Sequence, residues 1–259
     1  MKRIMTVILL SLAVAGTAFA QKAKPKAGVK PRAGAKSARK MPTANQLINK
    51  YVKALGGRVA IGKINSRVTK GSLEIPAVGA SGTVETYEKS PNKAITIATI
   101  AGVGVMQEAF DGSVAWSNNP MTGLRDKAGV ELANAKLEAE LYKPLKLKQL
   151  YPTIKVIGKE KVGEKDAYVV EATPKEGSAE KWYFDVQTGL LIRTDTTQES
   201  PEGKLPTEVY IDEYKVVDGV KVPVTFRIST PMYVINMKTA EVKHNVPIED
   251  AKFTKPAAK

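Results

Sequence analysis

Catalysis and metal binding in proteins draw on a short list of side chains, and this chain holds few of them. Cysteine is absent and histidine occurs once, as His244. The missing cysteines exclude disulfides, thiol nucleophiles, iron–sulfur clusters, covalently attached haem and cysteine zinc sites. A single histidine excludes multi-histidine metal sites. As a catalytic base, His244 would need a nucleophile and an orienting acid, and no nucleophile elbow occurs in the chain. It follows Lys243 at the end of an alternating run and reads as a surface residue at a strand end. Aspartate and glutamate are plentiful, and any two could in principle form a glycosidase pair. They mostly alternate with apolar residues, which is the pattern of a solvent-facing strand surface. Gly102-Val103-Gly104 is not followed by a helix, so it reads as a hairpin turn and not as a phosphate cradle. The chemistry-bearing residues therefore indicate a binding protein, with no enzyme activity, cofactor or metal expected.

The apolar residues carry more information. Several prospective strands are apolar on both faces: Tyr168 and Val170 against Ala167 and Val169, Trp182 and Phe184 beside Tyr183, and Tyr233, Ile235 and Met237 against Met232 and Val234. Two apolar faces mean that both sides are covered, or that one side meets a ligand. The candidate lining residues of such a ligand cavity are Trp116, Trp182, Phe184, Ile192, Ile211, Phe226, Ile235 and Met237, with Leu137 and Leu141 contributed by a helical lid.

The elements that must position these residues follow from periodicity. Thr43 and Gln46 have capping-box spacing, Leu47, Ile48, Tyr51, Val52 and Leu55 share a helical face, and Gly56-Gly57 ends the helix. A further helical turn is expected over Val59 to Lys63. From Ser66 the period becomes two. Strands are expected near Ser66–Ile75, Ser81–Lys89, Lys93–Ile100, Val105–Asp111 and Val114–Ser117, separated by Gly, Pro and Asn turn residues. Gly129 to Tyr142 is rich in Ala, Leu and Glu and reads as helix, with a shorter helix over Pro144 to Leu150. Strands resume at Ile154–Val162, Ala167–Thr173, Glu180–Asp185, Leu190–Gln198, Thr207–Tyr214, Val220–Ser229 and Met232–Lys243. Two blocks of sequential strands flanking a helical insert fit one curved antiparallel sheet with helices on one side.

The 259 residues are 43% hydrophobic and 25% charged, enough for a buried core. The net charge of +14 is unevenly placed. Residues 1–40 contain ten basic residues and no acid, which leaves residues 41–259 at about +4. Nucleic-acid binding is therefore not expected of the folded part. Residues 1–20 read as a secretory signal: Lys2 and Arg3, an apolar run from Ile4 to Val14, and the cleavage sequence Ala18-Phe19-Ala20. Residues 21–40 are a Lys, Ala, Gly and Pro segment too poor in apolar residues to fold, hence a disordered basic linker. It serves as a solubilising tether or as an arm for an anionic membrane surface. Residues 41–259 form the single expected domain.

Lys181-Trp182-Tyr183-Phe184-Asp185-Val186-Gln187-Thr188-Gly189-Leu190-Leu191 resembles the aromatic–Asp–x–x–Thr–Gly–Leu hairpin of the LolA/LolB-like superfamily of exported carriers. Tyr214 to Pro223, with Asp218-Gly219 at its turn, resembles the hairpin that follows in those proteins. The opening helix with Leu55-Gly56-Gly57 and the strand carrying Lys70-Gly71 resemble bacterial proteins of the outer membrane lipoprotein-sorting type. The resemblance covers about residues 44–253. It implies an unclosed antiparallel barrel of about eleven strands with helices on the concave side, enclosing an apolar cavity for lipid or the acyl chains of lipoproteins. Without a cysteine after the leader, the membrane-anchored acceptor type is excluded, and the gating arginine of the carriers has no matching motif here. The expectation is a non-catalytic periplasmic carrier. The alternative is an envelope sensor or assembly scaffold of the same fold that binds a protein partner and no lipid.

Overall fold

The computed structural model describes residues 41–200 and 203–257, with only the backbone at Glu199 and Ser200. The expected leader and basic linker, residues 1–40, lie outside them. The first helix, α1 (Ala44–Ala54), begins as its sequence dictates. The Thr43 hydroxyl accepts from the Gln46 backbone N–H at 3.2 Å, and the Gln46 side chain accepts from the Thr43 N–H at 2.8 Å. Gly56, at φ +122°, breaks it, and a single turn of helix, α2 (Gly57–Gly62), follows.

Alternating residues then build β1 (Ser66–Ile75), β2 (Ala80–Lys89), β3 (Lys93–Ile100), β4 (Gly104–Phe110), β5 (Ala115–Asn119) and β6 (Gly123–Asp126). The helical insert comprises α3 (Gly129–Glu138) and α4 (Lys143–Leu150). Helix α3 stops four residues before the expected Tyr142. The Leu141 N–H leaves the helix ladder to donate to Pro91 O, and Glu140 accepts from the Tyr142 N–H at 3.1 Å. The second strand block is β7 (Thr153–Val162), β8 (Lys165–Thr173), β9 (Glu180–Asp185), β10 (Leu191–Ser200), β11 (Gly203–Val217), β12 (Val220–Ser229) and β13 (Val234–His244).

All thirteen strands form one antiparallel sheet in the order β6-β5-β4-β3-β2-β1-β13-β12-β11-β10-β9-β8-β7. Each block is a meander, and the two are joined where the first strand pairs with the last. The sheet does not close, so β6 and β7 are its edges. The insert runs from one edge to the other, and α3 contacts β4 and β5 in one block and β10 in the other. Edge strand β7 exposes Lys155, Lys159 and Lys161, charges that discourage pairing with another chain. The architecture is the expected one, with thirteen strands where about eleven were implied. Strand β6 was not foreseen.

The helices bury one face of the sheet. Leu47, Ile48, Val52, Leu137, Leu141 and Leu147 pack with Val170, Ala172, Trp182 and Phe184 from the strands. Part of the opposite face is covered by the chain itself. Residues after β13 cross it and bury Phe253 completely against Ile95, Ala109 and Trp116. Asp250 in this segment accepts from Lys89 at 2.7 Å and pairs with Lys93 at 2.8 Å. Further along, Ala167, Val169, Tyr183 and Ile192 form a separate buried cluster, with the Arg193 guanidinium 4.8 Å from the Tyr183 ring centroid. The second apolar face of β8 and β9 is thus satisfied without a ligand.

Two glycines let the centre of the sheet bend sharply. A Cβ on Gly82 would lie 2.0 Å from Thr99 O, and one on Gly71 would lie 2.2 Å from Lys238 O. Glycine inside a strand marks such a close backbone approach. Gly82→Ala is expected to destabilise the protein by about 1–3 kcal/mol through this clash. Gly62→Ala, where nothing lies within 4 Å, should leave stability unchanged or slightly raised. Urea unfolding midpoints of the two variants check this.

Candidate binding cavity

The helices do not fill the concave face. Between α1–α2, the α3–α4 insert and the strands lies a cavity of about 370 Å³. Its apolar wall includes Leu55, Ile61 and Ile64 from the first helical pair and Leu137, Leu141 and Leu147 from the insert. The strands supply Trp182 and Phe184. An aromatic series runs along this wall and continues behind it to the buried Tyr151. Tyr51 and Phe184 have centroids 5.2 Å apart, Phe184 and Trp182 6.3 Å, and Trp182 and Tyr151 4.8 Å edge to face.

The two hairpins that carry the family resemblance seat α1 over this space. In the first, Thr188 donates from both its N–H and its hydroxyl to Asp185 Oδ1, at 2.6 and 2.7 Å. Lys50 of α1 donates to the turn carbonyls of Val186 and Gln187 at 2.6 and 3.0 Å. In the second, the Lys221 N–H donates to Leu55 O at 2.7 Å, and Gly56 packs so closely on Gly219 that a Cβ would lie 2.2 Å from its carbonyl oxygen. These motifs position the wall, and they also contribute to it through Trp182, Phe184 and Leu191 of the first hairpin and Val220, Lys221 and Pro223 of the second.

Charged groups also reach the cavity, and among the described residues most of them, though not Glu138 or Lys221, are paired within the protein. Arg67 on β1 lies opposite Glu88 on β2 and holds it bidentately, Nε to Oε2 at 2.5 Å and Nη2 to Oε1 at 2.6 Å. Burial works against the Arg67 charge, but Glu88 outweighs it and holds the guanidinium pKa above its ordinary value. Glu180 accepts from the Tyr151 hydroxyl and from Trp182 Nε1, the latter at 2.6 Å, with Lys143 Nζ at 3.4 Å. Burial, reinforced by Glu180, pushes the Tyr151 phenol up. Burial likewise pushes the Tyr51 phenol up to about 12. Among the described residues no group of three or more His, Asp or Glu side chains is arranged to hold a metal ion.

Of the residues proposed from sequence, Leu137, Leu141, Trp182 and Phe184 come together on the cavity wall. Trp116 does not. In β5 the small Ala115 faces the insert with Phe110 and Ala139, and Trp116 points to the other face, where its Nε1 donates to Phe253 O at 2.9 Å. Ile192 belongs to the cluster on that opposite face, and Ile192 and Ile211 line a separate cleft beside Asp185 and Tyr214. Ile235 and Met237 pack with Leu73, Ile75, Val84 and Ile100 in a separate cluster. Phe226 sits opposite Ile211 and Met237 in the sheet and does not line the cavity. Sequence reasoning missed Tyr51, Arg67, Glu88 and Glu180 as wall residues. The signal available was the charge pair Arg67 and Glu88, which only the β1–β2 register brings face to face.

His244 corrects another expectation. It does end the last strand, but its side chain is fully buried rather than at the surface. It lies opposite Arg67 in the β1–β13 pairing. Its Nδ1 is 3.0 Å from Asp218 Oδ2, and its Nε2 has no partner among the described residues. Burial lowers its pKa, Asp218 opposes that, and Arg67 adds to it.

No protein-family model and no curated protein matches the sequence. Solved structures do match in fold. A DUF1329 family protein from Desulfovibrio piger superposes with a TM-score of 0.54 at 16% identity, over 81% of this chain and 96% of its own. A LolA superfamily protein from Nitrosomonas europaea gives 0.54 at 13% identity, over 83% and 99%. A domain from Vibrio parahaemolyticus described as an outer membrane lipoprotein-sorting protein gives 0.52 at 12% identity, over 80% and 97%. The fold is that of the LolA-like proteins.

The buried histidine generates a test. With its folded-state pKa depressed below the ordinary 6.5, His244 resists protonation in the native protein while the unfolded chain accepts the proton. The stability it supports is present above that value and is lost as pH falls from it toward the lowered folded-state pKa. Urea midpoints measured from pH 8 to 5 should decline more steeply in the wild type than in His244→Gln.

Proposed function

We propose that this protein is a non-catalytic carrier that shelters a single acyl chain of a lipid or lipoprotein in the cavity beneath α1 and the α3–α4 insert. The observation that carries the reading is the unfilled, aromatic-walled space left between a curled sheet and its helical cover. Its 370 Å³ falls at the lower end of the ~300–1,000 Å³ typical of small-molecule sites. Burying roughly ten methylenes at about 0.8 kcal/mol each contributes some 8 kcal/mol before ordering costs, enough to hold a chain without covalent attachment. Membership of the LolA-like fold supports the same reading, as does the name of the Vibrio parahaemolyticus domain. The scaffold alternative needs no hollow, and the open cavity weighs against it.

The reading places the protein in the periplasm, exported by residues 1–20 and cleaved after Ala20, with residues 21–40 as a basic arm. Protein recovered from its native envelope should release lipid into an organic extract, read by mass spectrometry. Leu141→Trp should occupy the cavity and reduce the lipid recovered several-fold while the unfolding midpoint stays within the usual range for a core substitution. Wild-type protein that releases no lipid and takes none up would overturn the reading. Deleting residues 21–40 should weaken sedimentation with anionic vesicles and leave sedimentation with neutral vesicles unchanged.

A further inference from the structure

One corner of the cavity carries unspent hydrogen-bond donors. Tyr51 lines it with its ring against Phe184, and its hydroxyl has no partner among the described residues. Its side chain borders the hollow, and the hydroxyl oxygen is not sealed off within the protein. Arg67 lies within electrostatic reach of Tyr51. Its Nε and Nη2 are committed to Glu88, its Nη1 has no acceptor among the described residues, and its side chain is 25% exposed. A hydroxyl and a guanidinium N–H group without acceptors among the described residues therefore border the same cavity.

The charge around these donors decides what they suit. Glu88 already pairs with the guanidinium, and the lining as a whole holds four carboxylates, Glu88, Glu138, Glu140 and Glu180, against three cations, Arg67, Lys143 and Lys221. A carboxylate seated at Tyr51 would stand beside Glu88, in a lining with more carboxylates than cations, and its charge would be costly to bury. A carbonyl oxygen of an ester or amide accepts the same hydrogen bonds with no charge to desolvate. Building on the carrier reading, we propose that Tyr51 and the Nη1 group of Arg67 form a subsite for an uncharged carbonyl oxygen, so that the cavity takes acyl esters in preference to free fatty acids.

Trp182 stands in the cavity wall and Trp116 outside it, so intrinsic fluorescence reports occupancy. The purified protein would be titrated at pH 8 with dodecane, methyl dodecanoate and dodecanoate. Methyl dodecanoate should bind at least about tenfold more tightly than dodecanoate, the scale set by burying an unpaired charge. Tyr51→Phe, which removes only an unpartnered hydroxyl, should shrink the preference for ester over dodecane by about fivefold, the effect of one hydrogen bond. Equal binding of ester and carboxylate overturns the subsite, and so does a Tyr51→Phe protein with an undiminished ester preference. If the variant fails to fold, the wild-type comparison of ester with carboxylate still decides. Failure of dodecane itself to bind overturns the carrier reading, and the subsite with it.

Discussion

A thirteen-stranded antiparallel sheet that never closes leaves one apolar face to be kept from water, and four short helices supply the cover. Hydrophobic burial between that face and the helices is the interaction on which the remaining features rest. It gathers Leu47, Ile48 and Val52 of α1 into one buried cluster with Val170, Ala172 and Phe184 of the sheet. It also requires the sheet to curl, which Gly71 and Gly82 permit by omitting side chains where neighbouring backbone comes close. Four helices of six to eleven residues are too few to fill the concavity. The cavity is the remainder.

Polar groups in that remainder are neutralised locally. Arg67 is matched by Glu88, and Glu140 by Lys146 at 2.7 Å, while Glu180 collects three donors. Buried charges without such partners would cost several kcal/mol each. The result is a hollow with apolar walls in which most of the charged groups are paired within the protein. His244 at the adjoining strand departs from this pattern: Asp218 supports its Nδ1, but its buried Nε2 has no partner among the described residues.

The strands were legible because their turns are chemically explicit. Ser66–Ile75, Lys93–Ile100, Glu180–Asp185 and Val220–Ser229 fall where alternation and turn residues put them. Strand β6 was invisible because Gly123-Leu124-Arg125-Asp126 offers a single apolar residue and pairs on one side only. The cavity was legible in part. Alternation separates two faces of a strand but does not say which one meets the helices, so Trp116 looked as suitable as Trp182. The deciding facts are non-local: a small Ala115 leaves room for Ala139, and Phe253 arrives from the chain's far end to cover Trp116. Polar wall residues such as Tyr51 and Arg67 depend on helix docking and strand register, which no local pattern encodes.

The pairing of β1 with β13 has a consequence for how the molecule comes into being. The keystone of the arch is its last-made stone. Two meanders can each assemble from neighbours in sequence, yet their union waits for a strand that ends at His244, some 180 residues after β1 begins at Ser66. Contacts so distant in the chain slow folding, and they leave a raw seam on both halves until β13 has been made. A chain truncated before Val234 would consist of two unmatched half-arches.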